Sequence, residues 1–314
     1  MKRGLIAAAA AVLFTLMGAQ AEDDCRLKRM AALDLTPGPG GGHVLVQVQV
    51  NGQPLNLVVD TGSNHTMLTE RAAHALGLRF EAFPNSTGYM WGGFQLKNLV
   101  TADSLQLGKL SFDHSTMYVI PDADMHTPGY DGLLGSDILA RFDVDFDFAN
   151  GKLNLIAPHP CSDKVAYWAE DSQVSRIPFR KQASNIPITD MRIDKIYFVA
   201  SLDGKDELAV LDTGAPITSL DLDVAERDFD LKPDTAGMQK IPRLEGSYGY
   251  TFKGLTFGGV TVTNPKIRLD PYARTQISAQ SRQMIIGMNV LRQLHLYIAY
   301  RERMLYVTGA SAHK

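Results

Sequence analysis

Cysteine is almost missing from this chain of 314 residues: there are two, Cys25 and Cys161, and no Cys-x-x-Cys motif. Strong charge of either sign is missing too. The formal net charge is −3 and no basic stripe occurs, which excludes a nucleic-acid partner. The eight histidines are scattered, with no His-Glu-x-x-His and no ligand spacing, so no metal is implied. Asp143-x-Asp145-x-Asp147 is not a calcium loop, because Phe148 stands where that loop needs glycine. Gly38-Pro39-Gly40-Gly41-Gly42 lacks the preceding strand and following helix of a phosphate loop, and no organic cofactor is implied. Beyond the N-terminus no apolar run is long enough to cross a membrane, so no stable membrane insertion is expected of the mature chain.

The N-terminus itself reads as an export signal. Met1-Lys2-Arg3 is positive, Leu5 to Met17 is apolar, and Ala19-Gln20-Ala21 is a small-x-small cleavage site. Residues 1–21 are therefore expected to be removed and the mature protein to be periplasmic or secreted. Lipidation is excluded, since Asp23-Asp24 precedes Cys25. In an exported chain an even pair of cysteines favours a structural Cys25–Cys161 disulfide over two unrelated thiols.

What is abundant is internal repetition. "NLVVDTGSNHTML" (56–68) and "LAVLDTGAPITSL" (208–220) each carry Asp-Thr-Gly after an apolar run, and the two aspartates are 152 residues apart (212 − 60). At that offset Asn51-Gly52 falls on Asp203-Gly204, both hairpin-turn dipeptides. Leu133-Leu134-Gly135 falls on Ile285-Ile286-Gly287, so each apolar-apolar-Gly triplet ends 75 residues after its aspartate (135 − 60, 287 − 212). An Asp-Thr-Gly arises by chance at roughly one position in several thousand. Two copies with equal onward spacing make a duplicated unit.

Periodicity within each unit is mostly two. Val44, Val46, Val48 and Val50 alternate along one segment, and Phe142 to Phe148 alternate with Asp143, Asp145 and Asp147, so both are expected to be strands with one buried face. A helix is expected over Thr69 to Leu78, with short ones after Gly135 and Gly287. The domain plan is a lobe over 22–157, a polar, proline-containing linker over 158–174, and a second lobe over 175–310.

Leu55–Val59 and Leu208–Leu211 are expected to be interior strands, each delivering an aspartate to a tight loop in which Gly62 or Gly214 permits close backbone approach. Packing the repeats about a two-fold axis would bring Asp60 and Asp212 together. Two carboxyls that close share one proton. The ionised one can take a proton from water while the protonated one donates to a carbonyl oxygen, which suits amide hydrolysis by direct water attack.

From Ala31 to Gly309 the chain resembles the retropepsin/pepsin-like aspartic peptidases, in an exported bacterial single-chain form. The resemblance rests on both Asp-Thr-Gly loops and both apolar-apolar-Gly motifs. It implies an all-β, bilobal, pepsin-like fold of two quasi-symmetric closed β-barrel lobes with a few short helices. It implies an aspartic-type endopeptidase with Asp60 and Asp212 catalytic. Thr61 and Thr213 would cross-link the loops, Gly62 and Gly214 complete them, and Leu133, Leu134, Gly135, Ile285, Ile286 and Gly287 brace them. A flap over the cleft would use Tyr89, Trp91, Gly92 and Gly93 from the first lobe and Tyr248 and Tyr250 from the second. The repeats are much shorter than pepsin lobes. Ser63 follows the first triplet and Ala215 the second, so hydroxyl support for the neighbouring carboxylate is expected on the Asp60 side alone. The substrate would be a polypeptide held extended in the inter-lobe cleft of a monomer. The competing readings are a non-catalytic peptide-binding protein on the same scaffold, for which a buried acidic pair has no use, and a structural envelope protein, which leaves the equal triplets without explanation.

Overall fold

The computed structural model describes residues 27–82, 88–89, 95–122, 129–158, 166–180, 195–242, 244–271 and 284–310. The export signal, both cysteines, and Trp91, Gly92 and Gly93 lie outside them.

The first repeat closes on itself. Strand Val44–Val50 turns at Asn51-Gly52 and pairs antiparallel with Gln53–Val59. Both turn residues have positive φ, 49° and 77°, the twist that a two-residue hairpin needs and that Asn-Gly tolerates. Gln53–Val59 runs parallel to Gly132–Leu134, which pairs with Met67–Thr69. The ring continues through Leu110–Ile120 to Asn98–Leu107, which returns to Val44–Val50 through Gln49↔Gln106 and Val50↔Leu105. Six strands thus form a closed barrel with Val46, Val48, Val50, Leu57, Leu105 and Leu107 buried inside. The second repeat follows the same order through Tyr197–Leu202, Lys205–Leu211, Met284–Ile286, Ser219–Asp221 and Lys266–Asp270. Its return course is broken. Tyr248–Thr251 pairs with Lys266–Asp270, whereas Gly254–Phe257 pairs with Tyr197–Leu202, so the ring closes through the bend at 252–253. The bend lies beside Pro265, whose carbonyl accepts from Phe252.

Helices are few and short. Glu70–Ala75 is shorter than expected from the apolar spacing and is capped by Thr69, whose side chain accepts from the Ala72 amide. Ser136–Leu139 and Met288–Leu291 follow Gly135 and Gly287 as expected.

A sheet shared by both repeats joins them. Its order is Arg29–Asp34, Lys152–Ile156, Asp143–Asp147, Leu294–Ala299, Met304–Gly309 and Ser175–Pro178. The central pairing, Val144↔Ile298 to Asp147↔His295, comes from equivalent positions of the two repeats. Here the expectation of one solvated face is corrected. Asp143 and Asp145 are only 2% and 0% exposed, because residues 166–174 cover that face. Asp145 accepts from Asn154 Nδ2 at 2.8 Å and Tyr167 Oη at 2.6 Å, and lies 2.7 Å from His295 Nε2. Trp168 stacks flat on His295 with centroids 4.0 Å apart and donates to Thr308 Oγ1. The described part of the expected linker is therefore packed structure, and each buried acid has found donors.

Candidate active site

The interior strands end where the chemistry begins. Leu57, Val58 and Val59, and on the other side Ala209, Val210 and Leu211, are buried on both faces, whereas Leu208 further up is 46% exposed. The expectation of an interior strand thus holds only for the half nearest each aspartate. Apolar clusters on the two faces cover those halves, and parallel pairing with Gly132–Leu134 and Met284–Ile286 closes their edge. It also holds the aspartates, since Asp60 N donates to Leu134 O and Asp212 N to Ile286 O.

Each loop then wraps its own carboxyl. Asp60 Oδ1 accepts from the amides of Gly62 and Ser63, both at 2.9 Å. Asp212 Oδ1 accepts from Gly214 at 2.9 Å and Ala215 at 3.0 Å. Both glycines are required sterically. A Cβ on Gly62 would run into the Asp212 carboxyl, and one on Gly214 into the Asp60 carboxyl. The two carboxyls therefore face each other across the loop tips, each lying over the other loop's glycine.

Thr61 and Thr213, both fully buried, tie the loops together reciprocally. Each amide donates to the other threonine's Oγ1 at 3.1 Å, and each hydroxyl donates to the carbonyl before the other aspartate, Leu211 O at 2.9 Å and Val59 O at 2.7 Å. The apolar-apolar-Gly segments back this up. Gly135 N donates to Thr66 Oγ1 and Gly287 N to Thr218 Oγ1. Thr66 in turn bonds Asp137 Oδ1, and Thr218 bonds Asn289 Oδ1. These two pairs were not singled out from the sequence, although the 152-residue offset relates them.

One expectation changes. The Ser63 hydroxyl donates to the His65 carbonyl at 2.8 Å, away from the Asp60 carboxyl, so the Ser63/Ala215 difference does not make the carboxyls unequal. Tyr248 and Tyr250 lie within the sheet, half-buried against the barrel core, with Tyr250 edge-on to Phe252. In the first lobe Gly88–Tyr89 pairs antiparallel with Gln95–Leu96.

The carboxyls are unequal for another reason. Burial, then the negative charge of Asp212, holds Asp60 well above the usual carboxylate range. Burial also raises Asp212, but Lys195, a hydrogen bond from Asp60 and the amides of Gly214 and Ala215 pull it back. Both carboxyls are thus raised and titrate as one pair, with Lys195 and the loop amides opposing the rise at Asp212. Three neighbours had escaped notice in the sequence: Lys195, His43 near Asp212, and Tyr130, whose phenol burial and Asp60 raise.

Fold and loops define the pepsin/retropepsin type of aspartic-peptidase architecture. Residues 46–138 match the protein family described as aspartyl protease. Among solved structures, 420 chains match. One is the aspartic proteinase from Irpex lacteus, similar over 90% of this chain and 98% of that one, with a TM-score of 0.57 and 16% identity. No curated protein sequence matches the chain.

Proposed function

We propose that this protein is an aspartic endopeptidase. The observation that carries the reading is the reciprocal burial of two carboxyls over two glycines, a burial that raises both of them. Asp212, the ionised member, acts as base toward a water, and the proton on Asp60 goes to the carbonyl oxygen as the tetrahedral centre forms. The hydroxyl that adds carries the water's oxygen, and its proton rests on Asp212. On collapse the C–N bond breaks, the leaving nitrogen takes the proton from Asp212, and a hydroxyl of the tetrahedral centre gives its proton back to Asp60, which restores the starting state. The threonine cross-links keep both carboxyls fixed while charge moves between them, so little reorganisation is needed. The substrate is a polypeptide lying extended in the cleft between the lobes, and the chain works as a monomer of two lobes, 22–157 and 175–310. Export, signal removal after Ala21 and a Cys25–Cys161 bridge complete the proposal. Its support is the positive, apolar, small-x-small order of the N-terminus and the even cysteine count.

The test is digestion of a mixed peptide library from pH 2 to 9 by the wild type and by Asp212→Asn. Internal cleavage by the wild type alone, blocked by a statine-type inhibitor, is expected. A folded wild type that binds peptides and cleaves none would overturn the proposal in favour of a binding protein.

A further inference from the structure

The 152-residue offset that relates the aspartates also places Lys195 on His43. Extending the antiparallel register from Leu45↔Val58 puts His43 opposite Asp60, and extending it from Tyr197↔Val210 puts Lys195 opposite Asp212. The Ile196 carbonyl accepts from Leu211 N, which anchors that register next to Lys195. Each repeat thus carries a basic side chain at the same place, one strand away from its aspartate. Resting on the peptidase reading above, we propose that His43 and Lys195 form a basic pair that holds the negative charge of the two carboxyls on Asp212 and sets the pH range in which that charge is available.

The surroundings of His43 are built for position. The preceding glycine loop is held from the other repeat, Arg292 donating to Gly41 O at 2.7 Å and Gly42 O at 3.2 Å. Gly42 lies so close to Pro216 that a Cβ would sit 2.8 Å from the proline Cβ. His43 consequently sits at the lobe boundary, its ring edge-on to Tyr130 at 5.8 Å and subject to the charge of Asp212 from the other repeat. Its buried Nδ1 has no hydrogen-bond partner among the described residues, which suits a neutral ring with a bare lone pair better than a second N–H. Burial correspondingly holds His43 below the usual imidazole range, while Asp212 pulls the other way. Among the described residues, the titratable groups acting on the carboxyls are each other, Lys195, His43 and Tyr130.

The two basic groups act over different ranges. Lys195 bears on both carboxyls. His43 gains its charge only toward the acid end, where it steadies ionised Asp212. Both are positioning residues, acting through the carboxyls.

The experiment is the pH profile of kcat/KM, paired with carboxyl ¹³C titration of Asp60 and Asp212, for wild type, Lys195→Met, Lys195→Arg and His43→Gln. Loss of the lysine charge should move both limbs of the bell upward, the acid limb more, by roughly half a unit to one unit. His43→Gln should move the acid limb alone, upward. Lys195→Arg keeps the charge and should restore the wild-type profile. Superimposable titrations of wild type and Lys195→Met would overturn the inference, as would a fall in rate with neither limb displaced. The carboxyl titration reads the effect without substrate, so a wild type that cleaves nothing would refute the peptidase reading while the titration still decides the role of the pair.

Discussion

Asp60 and Asp212 are a single device at the level of the residue, because each carboxyl has its partner's charge and proton as part of its environment. Asp60→Asn, Asp212→Asn and the double change should each lower peptide cleavage by about 10²–10⁴-fold, with the double no worse than the singles. Steady-state rates on one peptide compare the three, and additive losses would mean two independent roles. Ser63 provides a contrast. Its hydroxyl serves the turn through His65 O, so Ser63→Ala should leave both limbs of the pH profile in place and cost about 1 kcal/mol of stability. A displaced limb would restore a role for this hydroxyl beside Asp60.

At the scale of elements, stability and geometry depend on polar groups buried between strands. Thr213→Val removes one hydroxyl that serves two loops, leaving Thr61 N and Val59 O without it. A buried group left unpaired costs about 1–3 kcal/mol, so the urea midpoint should fall accordingly, and Thr213→Ser should recover most of it. The shared sheet behaves likewise on its covered face. Asp145→Ala would strand Tyr167, Asn154 and His295 together. Thermal unfolding should show a loss larger than that of Thr213→Val, since more than one buried group loses its partner. Equal losses would mean that water enters beneath residues 166–174 and replaces the carboxylate. The phenol of Tyr167, raised by burial and by Asp145, stays protonated and is the donor in this network.

For the whole molecule, the buried carboxyl pair links folding to pH. Asp60 has a folded pKa well above its unfolded value near 3.9, so its stabilising contribution is full below that value and is lost as pH rises through the folded pKa. Each unit by which the folded value exceeds the unfolded one is worth about 1.4 kcal/mol. Asp60→Asn removes this loss. Its melting temperature relative to wild type should therefore climb between pH 3 and pH 8, and a difference that does not change with pH would contradict the raised carboxyl. The inactive variant is thus expected to be the more stable protein at neutral pH.

Much of this was legible in the one-dimensional pattern. Duplicated Asp-Thr-Gly, equal spacing to apolar-apolar-Gly and the Asn-Gly and Asp-Gly turns are local signals, and local backbone preferences with a period of two suffice to express them as strands and loops. Those signals located both carboxyls, and the family resemblance they carry implied the threonine cross-links and the bracing segments. They misjudged Ser63 because the direction of a hydroxyl depends on neighbours that sequence distance does not reveal. They also read Asp143 and Asp145 as solvated, since alternation tells which residues share a face and not whether another segment covers it. His43 and Lys195 carried no recognisable motif. Their meaning arises from strand register and from a contact across the lobe boundary. The repeat and its acids were determined by sequence. How far the two carboxyls are raised, and which bases act on them, was decided by tertiary structure, because burial and the distance between charges exist only once the two lobes have packed.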